Sequence, residues 1–160
     1  CRGQARIDLA VVDDVLHGYE IKSDRDSLRR LRSQVELYGR VLDRATLVVG
    51  ERHIEEAIEM LPPWWGVLRV NAGSAAPSFG HIRRPQQNPD RDARSLVELI
   101  WLRDAVALLV DRSAARGVRG KPRQVVWDRM CEIFSLEEIA ENVRRHIRAR
   151  LAPEAPPLLS

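Results

Sequence analysis

Apolar and polar residues alternate near the start of the chain and then shift to helical spacing, so each change of period marks an element. Residues 5–23 read A-R-I-D-L-A-V-V-D-D-V-L-H-G-Y-E-I-K-S, two alternating runs joined by Asp13-Asp14, which predicts a β-hairpin. Ser23-Asp24 offers a cap for a helix from Arg25 to about Leu42, with Leu28, Leu31, Val35, Tyr38, Val41 and Leu42 inward and Arg25, Arg29, Arg30 and Arg32 outward. Ala45 to Gly50 is short and almost wholly apolar, the pattern of a strand covered on both faces. Glu51 to Leu61 predicts a helix stopped by Pro62-Pro63, and Trp64 to Asn71 a further strand. Helices between strands favour parallel neighbours and right-handed crossovers, so the expected fold class is α/β, a mixed sheet with helices against it.

Residues 73–91 change character, with Gly73, Pro77, Gly80, Pro85 and Pro89, and read as a linker or a loose hairpin around Ser78 to Arg83. From Asp92 the spacing of Leu96, Leu99, Ile100, Ala107, Leu108 and Val110 predicts one long helix broken near Gly117. Helices from Arg123 to Phe134 and Leu136 to Leu151 follow, the last with Ser135 as cap and Glu138 at the capping-box position. The expected organisation is therefore a core over 1–72, the linker 73–91, a helical segment 92–152 and a frayed tail 153–160.

Composition narrows the classes. At 160 residues and 44% hydrophobic content the chain can bury a real core, and no apolar run approaches the roughly 20 residues of a bilayer span. Two cysteines, Cys1 and Cys131, make neither a disulfide framework nor a metal cluster, and a cytoplasmic setting is expected. A net charge of +3 leans weakly toward polyanions. The chain begins with Cys1 and enters a strand almost at once, which suggests a missing N-terminal segment.

The chemistry concentrates in the hairpin. Glu20 and Lys22, two apart on a strand, share a face. Asp8, an acid between Ile7 and Leu9, lies opposite Glu20 only if the loop holds an odd number of residues, for instance Asp13 to Val15. Two facing carboxylates suit a hard divalent cation such as Mg²⁺ or Mn²⁺, with the Ile21 carbonyl as a further oxygen ligand. A cation held there acidifies a bound water, and Lys22 would orient that water or neutralise phosphate charge. The bland alternative is a solvent-facing Glu-Lys pair on an amphipathic strand.

The run I-D-L-A-V-V, an interval and then Y-E-I-K-S resembles the PD-(D/E)XK nuclease superfamily, with Asp8, Glu20 and Lys22 at its signature positions. Gln34-Val-Glu-Leu-Tyr38 is similar to the Q-x-x-x-Y helix of its RecB-type members, in which that Gln and Tyr lie near the substrate. H-G-Y-E-I-K-S-D-R-D, D-R-A-T-L-V-V-G-E-R-H and P-P-W-W-G-V also resemble an uncharacterised bacterial family of such proteins. The resemblance implies a restriction-endonuclease-like fold and a DNA nuclease that hydrolyses phosphodiester bonds, in DNA repair or defence. It also implies catalysis by Asp8, Glu20 and Lys22, with Gln34 and Tyr38 lining the cleft. Arg6-Ile7 replaces the Pro that often precedes the first acid, and the superfamily's opening helix is missing. An inactive nucleic-acid-binding module of the same fold, or a protein-interaction domain with a merely solvated hairpin, remains an alternative.

Outside the hairpin, Ser23, Asp24 and Asp26 are explained most simply as helix caps, and Trp64-Trp65 as core. His17 and His53 have no partner at zinc-ligand spacing. Arg119-Gly-Lys121 between two helices resembles the turn of a SAP-type DNA-binding hairpin, where Arg119, Lys121 and Arg123 would meet phosphate. A plain αα-hairpin with turn glycines accounts for the same residues. The expected partner is DNA rather than a membrane, with a homodimer or the missing N-terminal segment as the other expected association.

Overall fold

The alternating run resolves into strands β1 (Leu9–Val12) and β2 (Leu16–Lys22) in a computed structural model, which describes residues 6–71 and 77–151. Their antiparallel register pairs Val12 with Leu16 and Leu9 with Tyr19, leaving a three-residue loop, Asp13 to Val15. Continued one step, that register sets Asp8 opposite Glu20. Strand β2 then alternates strictly. Leu16, Gly18, Glu20 and Lys22 are buried, whereas Ile21 is 50% exposed. Gly18 permits this burial, because a Cβ there would lie 2.5 Å from Cδ1 of Leu42.

A 3-10 turn (Leu28–Arg30) leads into α1 (Leu31–Gly39), which buries Leu31, Gln34, Val35 and Tyr38. Its cap is Ser27, whose side chain accepts from Arg29 N, rather than the expected Ser23-Asp24. Asp24 instead accepts from Arg52 N at 3.1 Å, at the start of the turn preceding α2 (Ile54–Met60), and so ties two helix starts together. Strands β3 (Arg44–Gly50) and β4 (Gly66–Asn71) run parallel to β2 and to each other. Leu47, Val49, Trp65 and Val67 are completely buried, as the apolar run at 45–50 implies.

Two expectations change. Residues 73–91 carry a fifth strand, β5 (Ser78–Arg83), antiparallel to β4, so the described sheet has five strands in the order β1-β2-β3-β4-β5. The polar residues beyond it satisfy backbone groups rather than solvent. Asn88, 1% exposed, donates to the carbonyls of Gly39 and Leu42 at 2.7 Å each, beyond the last turn of α1. The expected long helix after Asp92 is also two, α3 (Ala93–Val97) and α4 (Leu102–Asp111). Leu96, Val97 and Ile100 are buried in the first part, Ala105 and Leu109 in the second. At about 100° per residue those two sets lie roughly 150° apart on a straight helix, so one helix could not bury both. The chain breaks at Trp101, whose backbone is extended.

Helices α5 (Arg123–Ile133) and α6 (Leu136–Leu151) complete a bundle in which α3 packs on α5 and α6, and α4 on α5. The capping box forms, with Ser135 N donating to Glu138 Oε2 at 2.9 Å and Glu138 N to Ser135 Oγ at 3.3 Å. Cys131 is half-buried on α5. Cys1 and the tail 153–160 lie outside the described residues. No described helix is long and apolar enough to cross a membrane.

Sheet and bundle meet at Asp43, 1% exposed. Its carboxylate accepts from Leu16 N at 2.7 Å, Arg91 Nη1 at 2.7 Å and Arg144 Nη1 at 2.8 Å. Removing the acid takes the buried partner from two nearly buried guanidinium groups, leaving them only the more exposed Glu137 and Glu141. The D43A protein is expected to lose about 3–5 kcal/mol in urea unfolding. A loss under about 1 kcal/mol would show that the helical segment does not depend on this junction.

Candidate functional site

Glu20 is the deepest acid of the hairpin, 1% exposed, and three side chains converge on it. Lys22 Nζ donates to Oε1 at 2.6 Å and Gln34 Nε2 to the same oxygen at 2.5 Å. The Tyr38 hydroxyl lies 3.1 Å from Oε2 and 2.8 Å from the Arg6 carbonyl and shares its one proton between these two acceptors. The strand places Lys22 on the same face two residues on, and α1 presents Gln34 and Tyr38 one turn apart. A carboxylate this buried is stable only because its oxygens are met by donors. Burial, followed by the nearby Glu20 carboxylate, pushes the Tyr38 phenol well above its ordinary range, so it keeps its proton and donates.

Asp8 lies at the mouth. It is exposed, and its Oδ2 accepts from Ile21 N at 2.8 Å, extending the hairpin ladder by one side-chain bond. Asp8, Glu20, Ile21, Lys22 and Gln34 line one predominantly polar depression of about 440 Å³, together with Arg6, Asp26, Arg30 and Ser33. Within it Gln34 Oε1 is buried without a partner among the described residues. Two carboxylates, an orphaned amide oxygen and the Ile21 main chain make an oxygen donor set of the kind a hard cation takes. No group of three or more His, Cys, Asp or Glu able to hold a metal occurs among the described residues.

Tyr38 thus combines the two roles open to it, a buried aromatic at 6% exposure and a donor at the site. Asp26 accepts from Ser23 N and Oγ at 2.7 Å each, which holds its carboxyl below the usual range, and it sits on the rim of the depression. Arg30 and Ser33 are members that sequence reasoning did not single out. Arg30 was visible only as part of a polar helix face.

The R-G-x-x-G-K turn forms with Gly117 and Gly120 at φ 81° and 73°, values that glycine adopts without strain. Arg119 and Lys121, with Arg116, line a shallow depression there. Arg123 instead lies over the Trp127 ring, 5.6 Å from its centroid. The hairpin site and this turn are separate features. Trp64 and Trp65 are core, at 5% and 0% exposure.

The profile of the family described as bacteriophage P4 protein cII matches residues 2–159. Protein cII of Enterobacteria phage P4 is 29% identical over 79 residues, which is 49% of this chain and 30% of that relative, so the similarity spans under a third of its length. Among solved structures, a protein of unknown function from Silicibacter pomeroyi superposes with a TM-score of 0.41 at 22% identity, over 76% of this chain and 77% of that one.

Tyr38→Phe removes one buried donor from Glu20 and is expected to cost about 1–3 kcal/mol in denaturant unfolding. The phenol's pKa is raised in the folded state, so its contribution is whole below about pH 10 and is lost as pH climbs above it. The Y38F protein should accordingly show a flatter alkaline limb in stability against pH. Identical alkaline limbs would place the hydroxyl outside the buried cluster.

Proposed function

We propose that this chain, which belongs to the bacteriophage P4 protein cII family, is a metal-dependent DNA nuclease hydrolysing phosphodiester bonds, a reading supported by the hairpin site and not by the family. The observation that carries the reading is the convergence of Lys22, Gln34 and Tyr38 on Glu20, with Asp8 on the rim of the same depression. The proposal includes the finer fold reading, a restriction-endonuclease-like sheet of the PD-(D/E)XK type, and a cytoplasmic setting in DNA repair or defence.

In this reading Asp8 and Glu20, with the Ile21 carbonyl, would hold Mg²⁺ or Mn²⁺, which when bound would supply a more acidic water and a polarised phosphoryl oxygen. Lys22 carries its ammonium on the same face and meets the charge that develops on phosphate as water adds and the P–O bond breaks. Gln34 and Tyr38 fix the carboxylate of Glu20, so that its oxygens do not rotate away. Arg119, Lys121 and Arg123 supply a second phosphate contact from the helical segment.

One observation favours a second reading, an inactive nucleic-acid-binding module. Glu20 already takes three donors, and its tightest partner is the ammonium of Lys22. Catalysis requires that pair to open, whereas simple binding does not.

Cleavage of single-stranded, duplex, nicked and branched DNA with Mg²⁺ or Mn²⁺ separates the two. The D8N and K22A proteins should each lose at least about 100-fold in rate while remaining folded by circular dichroism. Equal activity in K22A would overturn the mechanism. Salt-sensitive binding without cleavage, unaffected by E20A, would select the module instead.

A further inference from the structure

Two further depressions continue from the hairpin site across the 3-10 turn. One, about 500 Å³, shares Lys22, Asp26 and Arg30 with the site and adds Ser27 and Arg29. The next, about 550 Å³, shares Asp26, Ser27 and Arg29 and extends to Arg32, Arg52 and His53. Together they make one trough leading away from Glu20 and Lys22. Its charges are one-sided: Arg29, Arg30, Arg32 and Arg52 are exposed and form no ion pair among the described residues, against the carboxylates of Asp26 and Glu56. His53, 9% exposed, presents a buried Nε2 with no partner among the described residues at the far end.

We propose that this trough binds the backbone phosphates of the DNA strand running from the hairpin site, with Arg29, Arg32 and Arg52 as phosphate contacts and Arg30 bridging to the site. The inference rests on the nuclease reading for the identity of the strand. Guanidinium groups suit phosphate because their planar donors match its oxygens in pairs. Apart from His53, the lining offers no aromatic ring on which a base could stack, so contact there is to the backbone and independent of sequence. Asp24 fixes the spacing of the two arms, because its bond to Arg52 N holds the start of the α2 turn beside the loop before α1. Gly50 leaves room for that carboxylate, since a Cβ there would come within 2.2 Å of Asp24 Oδ1.

The test is fluorescence anisotropy of a short random-sequence DNA, single-stranded and annealed, titrated in EDTA over a range of KCl. Each lost phosphate contact lowers the slope of log affinity against log salt by about 0.9 on duplex and about 0.7 on a single strand. The combined R29A, R32A and R52A protein should therefore lose roughly 2 to 3 from the slope. The R84A and R40A control, two exposed arginines off the trough, should lose none. Restoring the charge with R29K, R32K and R52K should recover most of the slope. An unchanged slope, an equal loss in the control, or no binding by the parent protein overturns the proposal. EDTA keeps this readout independent of cleavage. A protein that cleaves DNA with an unaltered slope sinks the trough alone, and one that never cleaves yet loses slope sinks the nuclease reading alone.

Discussion

Burying the Glu20 carboxylate between the sheet and α1 is the constraint on which the site and much of the core depend. A carboxylate at 1% exposure needs donors, and they come from β2 itself and from α1, the helix that follows it. To bring Gln34 and Tyr38 within reach, α1 must lie directly over β2. Gly18 makes room for that packing by letting Leu42 approach the strand. The hairpin register follows as well, because a loop one residue shorter would turn Asp8 to the opposite face.

A second buried carboxylate, Asp43, is held by a different set of partners. Asp43 is as inaccessible as Glu20, yet its partners are two arginines and a backbone amide, and its role is to join the sheet to the helical bundle. Glu20 takes an ammonium, an amide and a phenol and lines a polar depression with Asp8 on its rim. The first arrangement is an anchor. The second leaves Gln34 Oε1 without a partner among the described residues, beside the Lys22 ammonium.

Much of this was legible in the chain. Period-two alternation located β2 and the apolar run located β3, because strand burial writes directly into spacing, whereas β1 leaves Leu9 and Val11 exposed. The functional reading also asked for an odd loop that sets Asp8 opposite Glu20, and the three-residue loop Asp13 to Val15 supplies it. The long helix failed for a physical reason. Leu96, Leu99, Ile100, Ala107 and Val110 form one consistent stripe, but Ala105 and Leu109 lie on another face, and the fold buries Leu96 and Ile100 as well as Ala105 and Leu109 by breaking the helix at Trp101. The role of Asp43 left no local signal, because its partners Arg91 and Arg144 lie about fifty and a hundred residues away. The arginine trough was likewise hidden, since Arg29, Arg30 and Arg32 look like any solvated helix face until Arg52 is brought beside them.

The central claim is that the hairpin carboxylates form a cation site. Diffraction from a crystal soaked in Mn²⁺, recorded for anomalous scattering, tests it most directly. The account predicts a single anomalous peak between the carboxylates of Asp8 and Glu20, absent from the D8N protein. A clear map with no peak there, or a peak that survives D8N unchanged, would contradict it.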